Sequence, residues 1–450
     1  MGGVMKLSMK RRACASAAVL GLCVNSAMAV SITSDGKDLG NLDILIKGMS
    51  ILSAKDNGYD PNNGTSYLLK LKYESQAWNN LKAGIGFYAN GDIFGITDFD
   101  TERVARGMFV TDDGSTKSHL GELYLKYEAE KFTLIGGNQL YATPLTTITY
   151  SNIPNFYRAY GASTSAIEGV ELGVAQITEM SFGSRAMTDF GLIGEGTKTA
   201  GAAIKSSLIG QAKFHEISTA TFGSGAEDTD GITVANVAYT GWKNTKIGFW
   251  DYYVDDIANN VYLHADTMIP LDGMKLKLSG QYLNQQETGD QLGGVLDFDL
   301  FGLKAALGNK KWSVYAAVNS SGGDTAMLNA WGGDPAYTSS IFSRNEYRKN
   351  VDAYKIGVSY KIMKNLMIKV SYANYGESET SAPRKVLGLS GPGMVAPQTD
   401  AYEADIVVVY KPKKNVMLKA FLANRGSEYD GIEGKDLTQN HFRVIASYKY

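Results

Sequence analysis

Cysteine is all but missing from this chain: of 450 residues only Cys14 and Cys23 carry a thiol. Both fall within the first thirty positions, so no disulfide framework can hold the remaining length of the chain. Beyond those positions no stretch approaches the roughly 20 consecutive apolar residues that a helical membrane span requires. The mean hydropathy is −0.17, and with 50 glycines and 27 tyrosines the chain is too polar for a bundle of membrane helices. Proline is scarce, and the 4 histidines, His119, His215, His264 and His441, show no metal-ligand spacing. His264 stands near Asp266, but no serine motif accompanies them, so neither an enzyme nor a metal site is expected. The acidic stretches Asp98–Glu102 and Asp228–Gly231 lack the full ligand series of a calcium loop and are read as solvated turns.

The amino terminus has a different composition. Lys6, Lys10, Arg11 and Arg12 precede an apolar run from Ala13 to Val24, and Ala27-Met28-Ala29 offers small residues before Val30. This predicts a secretory signal peptide over residues 1–29, followed by one domain over 30–450. Met5 is an alternative start that leaves the leader unchanged. Leu22 before Cys23 is too bulky for a lipidation site. The leader removes four basic residues and no acid, leaving 40 against 46 in the mature chain. A net acidic chain without basic clusters gives no reason to expect nucleic acid.

What is present in quantity is alternation. Tyr67, Leu69, Leu71 and Tyr73 alternate with Lys70, Lys72 and Glu74; Tyr354, Ile356, Val358, Tyr360 and Ile362 alternate with Lys355, Gly357, Ser359 and Lys361. A period of two places alternate side chains on opposite faces of a strand, and segments of roughly ten residues suit a tilted strand crossing a membrane. Linkers of a few residues, such as Asn309-Lys310, alternate with long stretches such as 91–116, 320–350 and 376–399. Short turns at one rim and long loops at the other describe a transmembrane antiparallel β-barrel of about 18 strands, with 16 also possible and one uncertain strand between Ala200 and Phe222. The row Phe442, Val444, Ala446, Tyr448, Tyr450 ends the chain on an aromatic, as expected of a strand read by a barrel assembly machinery and closing against the first strand. A secreted sandwich would also alternate, but it needs heavier Val/Ile/Leu runs and has no rhythm of short and long loops.

If apolar rows face lipid, the opposite rows line a lumen. These hold Lys126, Lys275, Lys277, Lys304, Lys355, Lys369 and Lys419, together with Lys70, Lys72, Lys82 and Arg443, against fewer acids such as Glu74, Glu122, Glu403 and Asp405. A cationic low-dielectric wall is a conduit for small anions or zwitterions. One connection, residues 141–165, is aromatic rather than Gly/Asp-rich and is read as a third loop folded into the bore, with Tyr150, Asn152, Tyr157 and Arg158 as eyelet candidates.

Two stretches carry a resemblance. Gly136-Gly137-Asn138-Gln139 through Pro144, Pro154, Gly161 and Ile167-Glu168-Gly169, and Trp250 to Asp256 through Tyr262 to Met268-Ile269-Pro270-Leu271, are similar to the OprD family of outer-membrane specific porins. The resemblance implies an eighteen-stranded barrel, an inward third loop and a ladder of basic side chains guiding carboxylates through a narrow eyelet. This chain uses lysine where the family's ladder leans on arginine, and lysine lacks the planar fork that matches a carboxylate. The expectation is therefore a Gram-negative outer-membrane porin, monomer or trimer, passing small hydrophilic, anionic or carboxylate-bearing solutes without a cofactor, amid outer-membrane lipid and lipopolysaccharide. The alternative is a surface adhesin or major antigen whose long loops bind a partner.

Overall fold

Segments in which every second residue is apolar form strands in the computed structural model of the chain. It describes residues 30–34, 37–55, 62–100, 104–105, 108–111, 113–146, 152–183, 212–223, 225–329, 331–333, 335–345, 348–379, 398–429 and 437–450. The expected signal peptide and Tyr150 lie outside these residues.

The strands are β1 (Val30–Ser34), β2 (Lys37–Lys55), β3 (Asn62–Ser75), β4 (Leu81–Asp92), β5 (Lys117–Glu128), β6 (Phe132–Gln139) and β7 (Phe156–Thr164). Next come β8 (Val170–Ser181), β9 (His215–Glu216), a short helix α1 (Ile217–Phe222), β10 (Ile232–Tyr239), β11 (Thr245–Val254), β12 (Ala258–Leu271) and β13 (Met274–Glu287). The chain ends with β14 (Asp297–Gly308), β15 (Trp312–Gly322), β16 (Asp352–Met363), β17 (Leu366–Asn374), β18 (Gln398–Lys413), β19 (Val416–Tyr429) and β20 (Leu437–Lys449). Each strand from β2 to β8 pairs antiparallel with the next, β8 pairs with β10, and the ladder runs on to β20. β20 then pairs with β2 from Leu45↔Lys449 to Lys55↔Gln439, closing an eighteen-stranded barrel. Closure is what lipid demands, because an open edge would leave unpaired backbone groups in hydrocarbon.

β1 and β9 are additions to the barrel. β1 folds back on the start of β2, and β9 pairs only with Glu179 and Met180 at the end of β8. The uncertain strand between Ala200 and Phe222 is thus no barrel strand in its described part; β8 and β10 are already neighbours. The segment expected as one loop over 141–165 also divides. Its second half is β7, whose Tyr157, Ala159 and Gly161 alternate well enough to extend the wall.

The two faces separate by polarity. Leu125, Ile356 and Val358, all more than half exposed, belong to outward rows that would be an untenable patch in water and are a sound surface in lipid. No helix among the described residues is long and apolar enough to cross a membrane; the strands cross instead. At one rim the turns are short: Asp272-Gly273, with Gly273 at φ +68°, joins Leu271 to Met274, and the positive φ suits glycine in a two-residue hairpin turn. At the other rim lie the long connections, 140–155 and 323–351 among them.

Candidate functional site

The bore is narrowed by its own loops. Residues 140–155, the third long loop, bring Tyr141, Leu145 and Ile153 to near-complete burial, and residues 323–351, the seventh, bring Met327, Leu328, Trp331 and Phe342. Buried aromatics of this size are what fold a long loop inward, since each takes a large apolar area out of water. The two loops meet. Thr146 and Gly332 form an isolated β-bridge, and Tyr157 donates its hydroxyl hydrogen bond to the Trp331 carbonyl. A Cβ at Gly333 would lie 2.1 Å from the Pro144 carbonyl oxygen, so only glycine admits this approach. α1 joins the same cluster, where the Trp331 indole N–H donates to Thr221 Oγ1 at 3.3 Å.

Glu403 anchors the seventh loop to the wall. Its carboxylate accepts the Phe342 N–H at 2.9 Å and the Ser343 N–H at 2.6 Å. Tyr375 donates to the carbonyls of Thr338 and Ser343 at 3.0 and 2.9 Å, and Tyr337 donates to the Gly280 carbonyl at 3.2 Å. Burial, with Asp266 nearby, pushes the Tyr337 hydroxyl up to about 12, and burial raises Tyr141 as well, so both loop phenols remain protonated donors at neutral pH.

Two cavities open between these loops and the wall. One, of about 670 Å³, is lined by Thr143 and Pro144 of the third loop, Gly332, Gly333, Pro335 and Tyr337 of the seventh, and the wall residues His264, Asp266, Lys277 and Lys304. Lys277 pairs with Asp266 at 3.0 Å, Ser279 Oγ donates to the same carboxylate at 2.5 Å, and the Lys304 ammonium lies 4.6 Å from the Tyr315 ring centroid. The other, of about 540 Å³, is lined by Lys355, Lys369, Lys419 and Arg443 with Asp405, beneath Ser339 to Ile341. Here Lys355 Nζ donates to the Ser339 carbonyl at 2.8 Å. Lys419 and Arg443 lie over the Phe421 ring, at 5.3 and 5.2 Å from its centroid.

Four further lysines of the bore have carboxylate partners. Lys70 pairs with Asp43 at 2.9 Å, Lys72 pairs with Glu122, and Lys82 and Lys126 share Glu128 at 2.8 and 3.0 Å. Lys275 is exposed near the short-turn rim. Of the seven lysines expected on the ladder, five therefore line the two cavities, while Lys126 and Lys275 stand apart.

The eyelet candidates are placed otherwise than expected. Asn152 is buried and donates to Ser66 Oγ and, at 3.1 Å, to the Met108 carbonyl, which ties the third loop to the wall. Tyr157 is a wall residue bonded to the seventh loop. Arg158 belongs by register to the outward row. Its ladder neighbours run Leu123↔Asn138↔Arg158, cross-strand partners share a face, and Leu123 is 51% exposed on the lipid side. A bulge between Arg158 and Ala159 accompanies its pairing with Glu179 and its hydrogen bond to Asn138 Oδ1 at 3.1 Å. The residues missed by sequence reasoning are those of the seventh loop. Its signal was the apolar group Ala326-Met327-Leu328, Trp331 and Ile341-Phe342, set among the Gly, Ser and Asp that suggested a solvated loop.

A closed eighteen-stranded barrel with an apolar outer skin and a bore narrowed by inward loops defines an outer-membrane porin. The chain belongs to the OprD family: the family described as outer membrane porin, OprD family, matches residues 98–363. Solved structures of similar fold include Acinetobacter baumannii OccAB2, at 16% identity and TM-score 0.70 over 91% of this chain and 98% of that one. Pseudomonas aeruginosa OpdK with vanillate is similar at 14% identity and TM-score 0.69, over 91% and 98% of the two chains. Pseudomonas aeruginosa OccK2 (OpdF) in complex with glucuronate is similar at 14% and 0.68, over 91% and 97%. No curated protein sequence matches the chain. The protein is thus an outer-membrane channel for small solutes.

Proposed function

We propose that the solutes are small anions, carboxylates above all, and that they pass along the wall from β13 to β20. The observation that carries this reading is the uneven charge balance around the bore. On the β3–β5 side Lys70, Lys72, Lys82 and Lys126 each have a carboxylate partner, which offsets the charge of that stretch of wall. In the cavity of Lys355, Lys369, Lys419 and Arg443, four cations stand against Asp405, with Glu403 beside it. A wall of low dielectric focuses that excess on a passing solute, and lysine, a point charge without a fork, holds it weakly enough to release it. The relatives solved with vanillate and with glucuronate carry carboxylate solutes, which agrees with this chemistry. Transport of this kind is diffusion down a gradient and calls for no cofactor. Lipopolysaccharide around the outward rows and an assembly machinery reading the terminal strand complete the proposed setting.

The test is the reversal potential of single channels in planar bilayers under a potassium chloride gradient. Anion preference is expected, and Lys369→Gln with Lys419→Gln should move the potential toward zero. A cation-selective wild-type channel overturns the proposal.

A further inference from the structure

The short-turn rim carries a charge pattern that conduction does not use. Three successive turns, at residues 309–311, 364–365 and 414–415, join β14 to β15, β16 to β17 and β18 to β19. They lie side by side: the Lys361 N–H donates to the Lys311 carbonyl at 2.8 Å and the Lys411 N–H to the Asn365 carbonyl at 2.8 Å. Lys310 and Lys311 sit on the first, Lys361 and Lys364 on the second, and Lys411, Lys413 and Lys414 on the third; all seven are exposed. Residues 309–312, 361–366 and 410–416 contain no Asp or Glu, and none of the seven lysines forms an ion pair among the described residues. Elsewhere the rim is less basic: the turn at 129–131 balances Glu130 with Lys131, the turn at 165–169 carries only Glu168, the turn at 240–244 a single Lys243, and the turn at 272–273 Asp272.

Height along the barrel identifies the partner. Lys364, Lys413 and Lys414 directly follow the lipid-facing rows, where Tyr360, Ile362, Met363 and Tyr410 are exposed, Lys361 and Lys411 alternate with those rows at the same height, and the Lys311 ammonium lies 5.3 Å from the Tyr360 ring centroid. Tyrosine at a strand end marks the level of the lipid headgroups, and a lysine that reaches over it snorkels to the same level. Short turns face the periplasm in barrels of this type. We infer that this lysine arc binds anionic phospholipid headgroups of the periplasmic leaflet, collecting them on one side of the barrel. A soluble acidic partner would leave the alignment of lysines with the tyrosine level unexplained.

Two tryptophans make the inference testable. Trp312 stands at the arc, and Trp78, on the turn between β3 and β4, stands on the opposite side of the same rim. Proteins keeping only one of these tryptophans, the others replaced by Phe, are reconstituted in phosphatidylcholine with a minor share of brominated phosphatidylglycerol, and fluorescence quenching is read. Enrichment at Trp312 of about fivefold over bulk, the factor conferred by one lysine near an anionic surface, is expected, with bulk quenching at Trp78. Changing the seven lysines to Gln, or raising salt from about 0.1 M to about 1 M so that the screening length falls from about 10 Å to about 3 Å, should return Trp312 to bulk. The salt arm needs no lysine variant and stands if that variant fails to fold. Bulk quenching at Trp312, or enrichment that survives both treatments, overturns the inference. Neither result depends on which solute the bore conducts.

Discussion

At the scale of single residues, what a charged side chain does in this barrel is set by its cross-strand neighbours. Arg158 shows this most plainly: its place in the ladder puts it in the outward row of Leu123, paired with Glu179 and 5.5 Å from the Phe214 ring centroid. Arg158→Met is therefore expected to leave single-channel conductance and reversal potential unchanged, and a change in either would return the residue to the bore. Glu403 has the opposite standing. Hydrogen bonds to a charged group contribute about 1.5–3 kcal/mol each, and its carboxylate takes the backbone N–H groups of two successive residues. Glu403→Ala should speed hydrogen exchange at Phe342 and Ser343 by at least about tenfold, one such bond's worth, while the amides of β16 stay protected. Equal exchange in both proteins would mean that Tyr375 holds the loop without it.

At the scale of elements, the bore is narrowed by two loops acting together. Their contact at Gly333 and Pro144 admits no side chain, so Gly333→Val must part them. Single-channel conductance should rise by about twofold or more, because in a water-filled constriction the pore radius governs passage; unchanged conductance would place the narrowest point elsewhere. The third loop was read in the sequence from an aromatic stretch of which Phe156, Tyr157 and Tyr160 belong to β7, so its inward fold was legible but its end was not. The seventh was not legible, since its Trp331 and Phe342 are spaced among polar residues and their burial depends on partners far off in the chain. Tyr157 and Trp331, which bond to each other, are 174 residues apart.

At the scale of the whole molecule, stability rests on a closed ladder. The last strand pairs with the first over eleven residue pairs, and the terminal Tyr450 exchanges backbone hydrogen bonds with Ile44 at 2.8 and 3.0 Å. Removing residues 444–450 should abolish the compact, heat-modifiable band that a folded barrel gives in an unboiled electrophoretic sample. A truncated chain that still migrates as the compact form would show that closure needs only the upper part of the seam.

Strand positions, the outward and inward rows and the alternation of short turns with long loops were determined by the sequence alone, because a period of two is a local property that each strand expresses by itself. Tertiary structure decided the rest. Lys72 is neutralised by Glu122, 50 residues away, whereas Lys369 and Lys419 meet around a cavity with Arg443. Arg158 faces outward because its place in the ladder puts it in the row of Leu123. Charge neutralisation and loop contact are relations between distant parts of the chain, and only closing the cylinder brings those parts together.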